Sequence, residues 1–212
     1  MDNHYSSSNW SQLYKFRREI SCDYPDPMKI QVVKRPQALL KSYIHNRRTV
    51  LEIGAGQRKL KDQLTQLYGE IQYKSFDIDQ TNYHDYYDLE KIEGKFQLVC
   101  MFEVIEHLSI ENAYRTLSRC HKLLESNGLM LITTPNIYYP PAFLRDITHI
   151  TPWAYDELAG FGKLIGFEVI DIFRLYHDAW HRKIVRRFIL HPVHKMLGID
   201  YAKQIAVLFR KP

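Results

Sequence analysis

The stretch Glu103-Val104-Ile105-Glu106-His107 holds two carboxylates and an imidazole in very few residues. In a helical turn, positions i, i+3 and i+4 share one face, so Glu103, Glu106 and His107 would present their groups together. Such a set suits a divalent ion: oxygen ligands favour Mg2+ or Mn2+, and an imidazole tilts the preference toward transition metals. His149, within Asp146-Ile147-Thr148-His149-Ile150-Thr151-Pro152-Trp153, is an available fourth ligand. His107 is also a candidate general base, a role usually worth about 10²–10⁴ in rate. The bland alternatives are a substrate or cofactor contact for Glu103, a helix cap for Glu106 and a satisfied buried histidine for His107.

A second constellation lies upstream. Val50-Leu51-Glu52-Ile53-Gly54-Ala55-Gly56 is a short apolar run ending in an acid and a Gly-x-Gly turn, the pattern of a buried strand entering a nucleotide-binding loop. Glycines there let backbone approach a ligand where a Cβ would collide. Asp77 closes the next apolar run, about twenty residues on, where an acid can accept hydrogen bonds from ribose hydroxyls. Together they point to an adenosine-containing cofactor. A dinucleotide fingerprint needs a third glycine where this chain has Lys59, so that reading fails. Taken singly, Asp77 and Asp79 also suit turns, and Asp88 suits a helix cap.

The elements that must hold these groups alternate. Strands are expected at about 49–53, 72–76, 96–101 and 129–133, with helices over Lys59–Tyr68 and Ile110–Leu124, the latter stopped by Asn127-Gly128. A loop or short helix carries the Tyr83–Tyr87 cluster. Thr151 and Pro152 read as the cap and first position of a helix reaching Ile165, ended by Gly166. Phe167–Leu175 and Gln204–Arg210 read as two late strands. Residues 29–45 read as a helix interrupted near Pro36, and Pro25 and Pro27 mark a break before it. The expected fold class is α/β: a doubly wound, mostly parallel sheet with an antiparallel late edge pair and helices on both faces.

Composition narrows the function classes. A chain of 212 residues with 45% hydrophobic and 25% charged residues has the make-up of an ordinary soluble globular protein. Its net charge of +5 permits an anionic substrate without demanding one. No apolar run approaches the roughly 18 residues that span a bilayer, and Met1-Asp2-Asn3-His4 is no signal peptide. Cys22, Cys100 and Cys120 fall in no metal or redox spacing, which reads as reduced thiols in a cytoplasmic protein.

The ordered motifs of residues 47–175 resemble those of the class I S-adenosylmethionine-dependent methyltransferases, with their Rossmann-like fold. That resemblance implies that Glu52, Gly54, Ala55 and Gly56 line the methionine end of the cofactor. It assigns Asp77, with Ile78 beside it, to the ribose, and Asp88 and Leu89 to the adenine. Arg58 stands where many members have a further glycine and is a candidate partner for the cofactor carboxylate. The Glu-x-x-Glu-His turn with a later His four residues before a Trp is similar to the small-RNA 3′-terminal 2′-O-methyltransferases. In those enzymes a metal is held by the residues matching Glu103, Glu106, His107 and His149. The same turn occurs in O-methyltransferases of ubiquinone biosynthesis.

The function expected is therefore S-adenosylmethionine-dependent O-methylation of a small-molecule, glycan or natural-product hydroxyl, with Mg2+ or Mn2+ as the expected aid. The alternatives are RNA ribose 2′-O-methylation and a non-catalytic cofactor-binding partner subunit. Three segments are candidate walls for the acceptor: Tyr5–Phe16, within an N-terminal segment 1–45; Tyr138-Tyr139-Pro140-Pro141; and an insertion at 177–202 in the methyltransferase domain 46–212. The insertion carries Arg182, Lys183, Arg186 and Arg187 beside apolar residues, so phosphate, a carrier-bound substrate or an anionic lipid surface are its candidate partners. Packing of that helix on its own domain is the plainer alternative.

Overall fold

The structure, a computed structural model, describes residues 10–43, 49–178 and 180–212. The elements run α1 (Trp10–Asp23), β1 (Val32–Val33), α2 (Pro36–Tyr43), β2 (Thr49–Ile53), α3 (Lys59–Tyr68), β3 (Gln72–Phe76), β4 (Phe96–Phe102), α4 (Ile110–Leu123), β5 (Leu124–Pro135), α5 (Pro140–Leu144), α6 (Tyr155–Ile165), β6 (Glu168–Leu175), α7 (Trp180–Ile184), α8 (His191–Leu197) and β7 (Gln204–Arg210). Residues 5–9 of the aromatic N-terminal stretch lie outside the described residues, as does the boundary expected at 45/46.

The strands form one seven-stranded sheet in the order β1-β6-β7-β5-β4-β2-β3. β7 pairs antiparallel with both β5 and β6, while the other pairings are parallel. The late strands thus form the antiparallel pair expected, with β1 covering the outer edge of β6 through Val32↔Arg174 and Val33↔Leu175.

Side chains alternate between two buried layers, as the period-2 pleat requires. Leu51, Ile53, Val99, Met101, Met130, Ile132 and Val207 point to one face, where Leu117, Leu158 and Phe161 of α4 and α6 meet them. Val50, Leu98, Cys100, Leu129, Leu131 and Leu208 point to the other, against Leu39, Leu40, Leu60 and Leu64 of α2 and α3. Burial on both faces explains why these strands read as continuous apolar runs.

Several elements depart from the sequence expectation. α1 was not anticipated, because Ile20 is its only buried residue. It is held sideways on α6, with Arg17 bridging Asp156 and Glu157, both at 2.8 Å, and Ser21 donating to Asp156 at 3.0 Å. A Cβ on Gly160 would lie 2.9 Å from the Arg17 amide nitrogen, so the glycine sets how closely the two helices approach. The helix expected over 29–45 is instead β1 followed by α2, which starts at Pro36 rather than being broken there.

Asn127-Gly128 does not end α4. The helix stops at Leu123 and the chain enters β5 at once, because Leu124 is extended (φ −71°, ψ 143°) and fully buried. Asn127 (φ 60°) and Gly128 form an irregularity inside β5, hydrogen-bonded to Lys211 after β7. α6 starts at Tyr155, not beside Pro152, because the Thr151 hydroxyl is used to donate to the Leu108 carbonyl at 2.6 Å. Its end at left-handed Gly166 is as expected.

Candidate active site

The chain reverses direction in the sheet at β2, whose neighbours are β3 on one side and β4 on the other. Open α/β sheets bind ligands in the crevice at such a point, beyond the carboxyl ends of the strands. A cleft of about 730 Å³ lies there. Its walls include Gly54 after β2, Asp77 and Ile78 after β3, Glu103 and His107 after β4, and Asp88 and Leu89.

Gly54 is required by space and by conformation. Its φ is +71°, and an added Cβ would stand 2.2 Å from Val104 Cγ2. Its amide and that of Ala55 both donate to the Phe76 carbonyl, at 2.9 and 3.2 Å, which fixes the turn against β3. Asp77 binds that same turn, accepting from the Gly56 amide at 2.8 Å and from the Asp79 amide at 3.0 Å. Asp88 caps a short 3-10 turn by accepting from the Glu90 amide at 3.0 Å, so it serves as a cap while lining the cleft.

Glu52, Ala55 and Gly56 do not line the cleft; the first two are buried and Gly56 is exposed. Glu52 is buried and accepts a short hydrogen bond from the Tyr73 hydroxyl. Burial pushes its carboxyl up to about 7, against the opposing pull of Tyr73 and Arg58. Arg58, itself left-handed (φ 56°), is committed to the protein. It lies 3.3 Å from Asp85, donates to the Tyr83 carbonyl at 3.3 Å, and stacks over the rings of Tyr73 and Tyr83.

Sequence reasoning passed over Asp85, which anchors this region. It accepts from the Ser75 amide and hydroxyl, each at 3.0 Å, and pairs with Lys74 as well as Arg58. Burial alone would raise its carboxyl, but the bonds to Lys74 and Ser75 outweigh that and hold it below the usual range. Tyr87, Asn112, Arg115 and Thr116 also line the cleft and were not anticipated. Three of them lie on α4, where a polar helix face looks in sequence like any solvated face.

One residue of the cleft wall belongs to a second group. One ligand-capable atom from each of Glu106, His107 and His149 lies within 4.8 Å of the others. The 3-10 turn Ile105–His107 carries the first two, and backbone bonds bring in the third: the amides of Ile150 and Thr151 both donate to the Glu106 carbonyl, at 2.8 and 3.0 Å. Trp153 adds a bond from its indole to the Ile105 carbonyl at 3.2 Å.

Both imidazoles are oriented through Nδ1. That of His149 faces the Phe143 carbonyl at 2.8 Å, and that of His107 faces the Thr148 carbonyl at 3.1 Å and the Thr148 hydroxyl at 3.0 Å. A proton on Nδ1 donated to each carbonyl leaves Nε2 with a free lone pair, the tautomer a ligand or a base needs. Glu106 is fully buried; Oε2 accepts from Thr134 at 3.1 Å and Oε1 has no partner in the protein. Burial and then the Glu103 charge raise its carboxyl to about 8.

Glu103 does not join this group. It has φ +54° and precedes the 3-10 turn instead of lying on it, so the shared helical face fails at its first position. Its carboxylate accepts from Thr133 at 2.8 Å and from Gln204, and burial raises its pKa. Beyond the cluster, α1 and α6 enclose an aromatic hollow of about 270 Å³ walled by Trp10, Tyr14, Arg17, Trp153 and Phe161.

A mixed seven-stranded sheet with an antiparallel β6–β7 pair, and a glycine turn and an acid at its reversal point, is the architecture of class I S-adenosylmethionine-dependent methyltransferases (EC 2.1.1.-). The model of the family described as "Methyltransferase domain" matches residues 28–172, and the chain belongs to that family. S-adenosylmethionine is the cofactor this membership implies.

Among solved structures, the chain is similar to an S-adenosylmethionine-dependent methyltransferase from Archaeoglobus fulgidus (20% identity, TM-score 0.66, covering 83% of this chain and 93% of that one). It is also similar to one from Mesorhizobium loti (14%, 0.57, 82% and 96%). A third is the magnesium protoporphyrin IX methyltransferase of Synechocystis PCC 6803 with bound cofactor (12%, 0.55, 83% and 76%). At these identities the likeness is one of fold. No match is found among curated proteins. No helix of the described residues is long and apolar enough to cross a membrane.

Proposed function

We propose that this methyltransferase acts on a hydroxyl oxygen of a small-molecule, glycan or natural-product acceptor, presented at the Glu106–His107–His149 cluster. The observation that carries the reading is the double membership of His107, which lies on the cofactor-sized cleft and in the cluster. In this reading Gly54 approaches the cofactor with its backbone, Asp77 and Ile78 take the ribose, and Asp88 and Leu89 the adenine. Glu52 and Ala55 support the turn, and Gly56 completes it with its amide bonded to Asp77. The acceptor's body lies in the aromatic hollow that α1 closes, so the N-terminal segment acts as the substrate cap.

The transfer forms a bond from the acceptor oxygen to the methyl carbon as the carbon–sulfur bond breaks, and the hydroxyl proton must leave. Without a metal, the Nε2 lone pair of His107 is placed to take it, and alignment of the reactants can lower the barrier by roughly 7–11 kcal/mol. The cluster also fits a divalent cation, since an orphaned buried carboxylate oxygen and two oriented imidazoles converge on it. Two nitrogens and one oxygen suit Mn2+ or another transition ion better than Mg2+. Bound there, the ion would lower the pKa of the acceptor hydroxyl. The RNA reading drew on a four-residue ligand set, and Glu103 is instead turned to Thr133 and Gln204.

Methyl transfer from labelled cofactor to a panel of hydroxyl-bearing acceptors, with Mn2+ or with chelator, tests this. His107→Ala should abolish turnover while cofactor affinity stays within about twofold. His149→Ala and Glu106→Gln should lower Mn2+ affinity about ten- to a hundredfold, while Glu103→Ala leaves it unchanged. Full turnover by His107→Ala, or a methyl recovered on nitrogen or carbon, would overturn the reading.

A further inference from the structure

The insertion between β6 and β7 has no place in the chemistry above, yet it carries a dense run of exposed large apolar side chains. Phe188 is 71% and Met196 78% exposed, and Ile184, Val185, Ile189, Val193 and Leu197 are exposed with them. These residues recur every four positions in two adjacent rows, 184-188-196 and 185-189-193-197, with Pro192 completing the first row. In an α-helix a four-residue step overshoots one turn by about 40°, so such rows would wind around the axis. Here the turn over Val185–Ile189 is a π-helix, closed by the Leu190 amide reaching back five residues to the Val185 carbonyl at 2.9 Å. Its wider turn offsets part of that extra rotation within 185–189, before Leu190 leads into α8.

The charge of the segment is one-sided. Residues 180–197 include Arg182, Lys183, Arg186, Arg187 and Lys195 and no Asp or Glu. Arg182 and Arg186 lie 3.7 and 3.2 Å from Asp178 at its start, whereas Lys195 is exposed. Lys183, Arg187, His191 and Lys195 repeat the four-residue spacing, a basic row in sequence next to the apolar ones. The side chains of Lys183 and Arg187 lie outside the described residues.

From this juxtaposition we infer that the 184–197 face is a docking surface for an anionic lipid bilayer, lying flat in the headgroup region. A basic helix with a broad aliphatic face gains both by burying that face at the acyl boundary and by attraction to acidic headgroups. A second copy of the chain would bring like charges together on this face. Single-stranded nucleic acid would call for stacking aromatics, and Phe188 is the one aromatic beside six aliphatic or thioether side chains of the face. The insertion leaves and rejoins the sheet at the carboxyl end, through Leu175 and Gln204, so the docked bilayer lies on the side that carries the cleft. Its tail is tied to the loop after β5 by bonds from the Asp200 amide to the Tyr138 carbonyl (2.6 Å) and from Asn136 to Asp200 (2.9 Å).

Co-sedimentation of the full chain with vesicles tests this, using phosphatidylcholine alone and an equal mixture with phosphatidylglycerol. Binding to the mixed vesicles should exceed binding to neutral ones by at least about tenfold and weaken as salt is raised. Phe188→Glu/Met196→Glu and, separately, Lys183→Glu/Lys195→Glu should each reduce it about tenfold, with cofactor affinity by calorimetry unchanged. Equal sedimentation of parent and both variants, or no binding to the mixed vesicles at low salt, would overturn the inference. So would a dimer in sedimentation velocity that Phe188→Glu/Met196→Glu dissociates while vesicles are ignored.

Discussion

The Asp77 carboxylate accepts the Gly56 amide hydrogen at 2.8 Å and so ties the carboxyl end of β3 to the glycine turn that follows β2. The same side chain lines the cleft, so one acid both shapes the loop and faces the cleft. Asp77→Ala should therefore raise the cofactor dissociation constant about ten- to a hundredfold by calorimetry, the scale for hydrogen bonds to a charged group. Unfolding free energy should change by no more than about 1 kcal/mol, because the residue is half-exposed.

Gly54→Ala strains the backbone and places a methyl group against Val104. A side chain held in the left-handed region costs about 1–2 kcal/mol, and overpacking adds roughly 1–3. Adding Val104→Ala should recover the steric share only. Denaturant titrations of the two single variants and the double variant would measure this as a coupling.

Glu52 should give stability a characteristic pH dependence. Its native pKa, raised to about 7 from an ordinary 4.5, means the folded state keeps a proton that the unfolded chain has lost. The native state is therefore favoured most below about 4.5, and stability falls as pH rises toward and through about 7, by roughly 3 kcal/mol in all. Glu52→Gln stays neutral and can still accept from Tyr73. Relative to the parent it should gain stability progressively between about pH 5 and about pH 8, as followed by urea unfolding.

Arg174 and Asp200 form a buried pair at 2.7 Å, and Arg174 also donates to the Ile30 carbonyl at 3.0 Å and to the Met28 carbonyl. This joins the lead-in to β1, the end of β6 and the tail of the insertion. Asp200→Ala leaves a buried guanidinium without its charge partner and should cost about 3–5 kcal/mol. Arg174→Met/Asp200→Ala should be less destabilised than Asp200→Ala alone, a comparison that thermal unfolding can make.

β2, α3 and β3 lie at the residues read from the sequence, because each is announced locally by an apolar run, a helical period or a glycine turn. The same local signals brought Gly54, Asp77, Asp88 and His107 to notice, and all four line one cleft. α1 carried no such signal. Its helix is secured by Arg17 and Ser21 reaching residues of α6 more than a hundred positions away. Asp85 and the α4 residues of the cleft escaped for a related reason, since only the partners across the fold distinguish them from ordinary surface polar groups.

The amino-acid sequence alone determined the alternating α/β order and the turn after β2, because periodicity and glycine conformations are properties of neighbouring residues. The tertiary structure decided which chemical groups meet. Left-handed Glu103 swings its carboxylate to Thr133, and the Glu106 carbonyl, by binding the amides of Ile150 and Thr151, draws His149 beside His107. Neither event can be read from spacing, since each depends on hydrogen bonds between segments that approach one another only when the sheet has assembled.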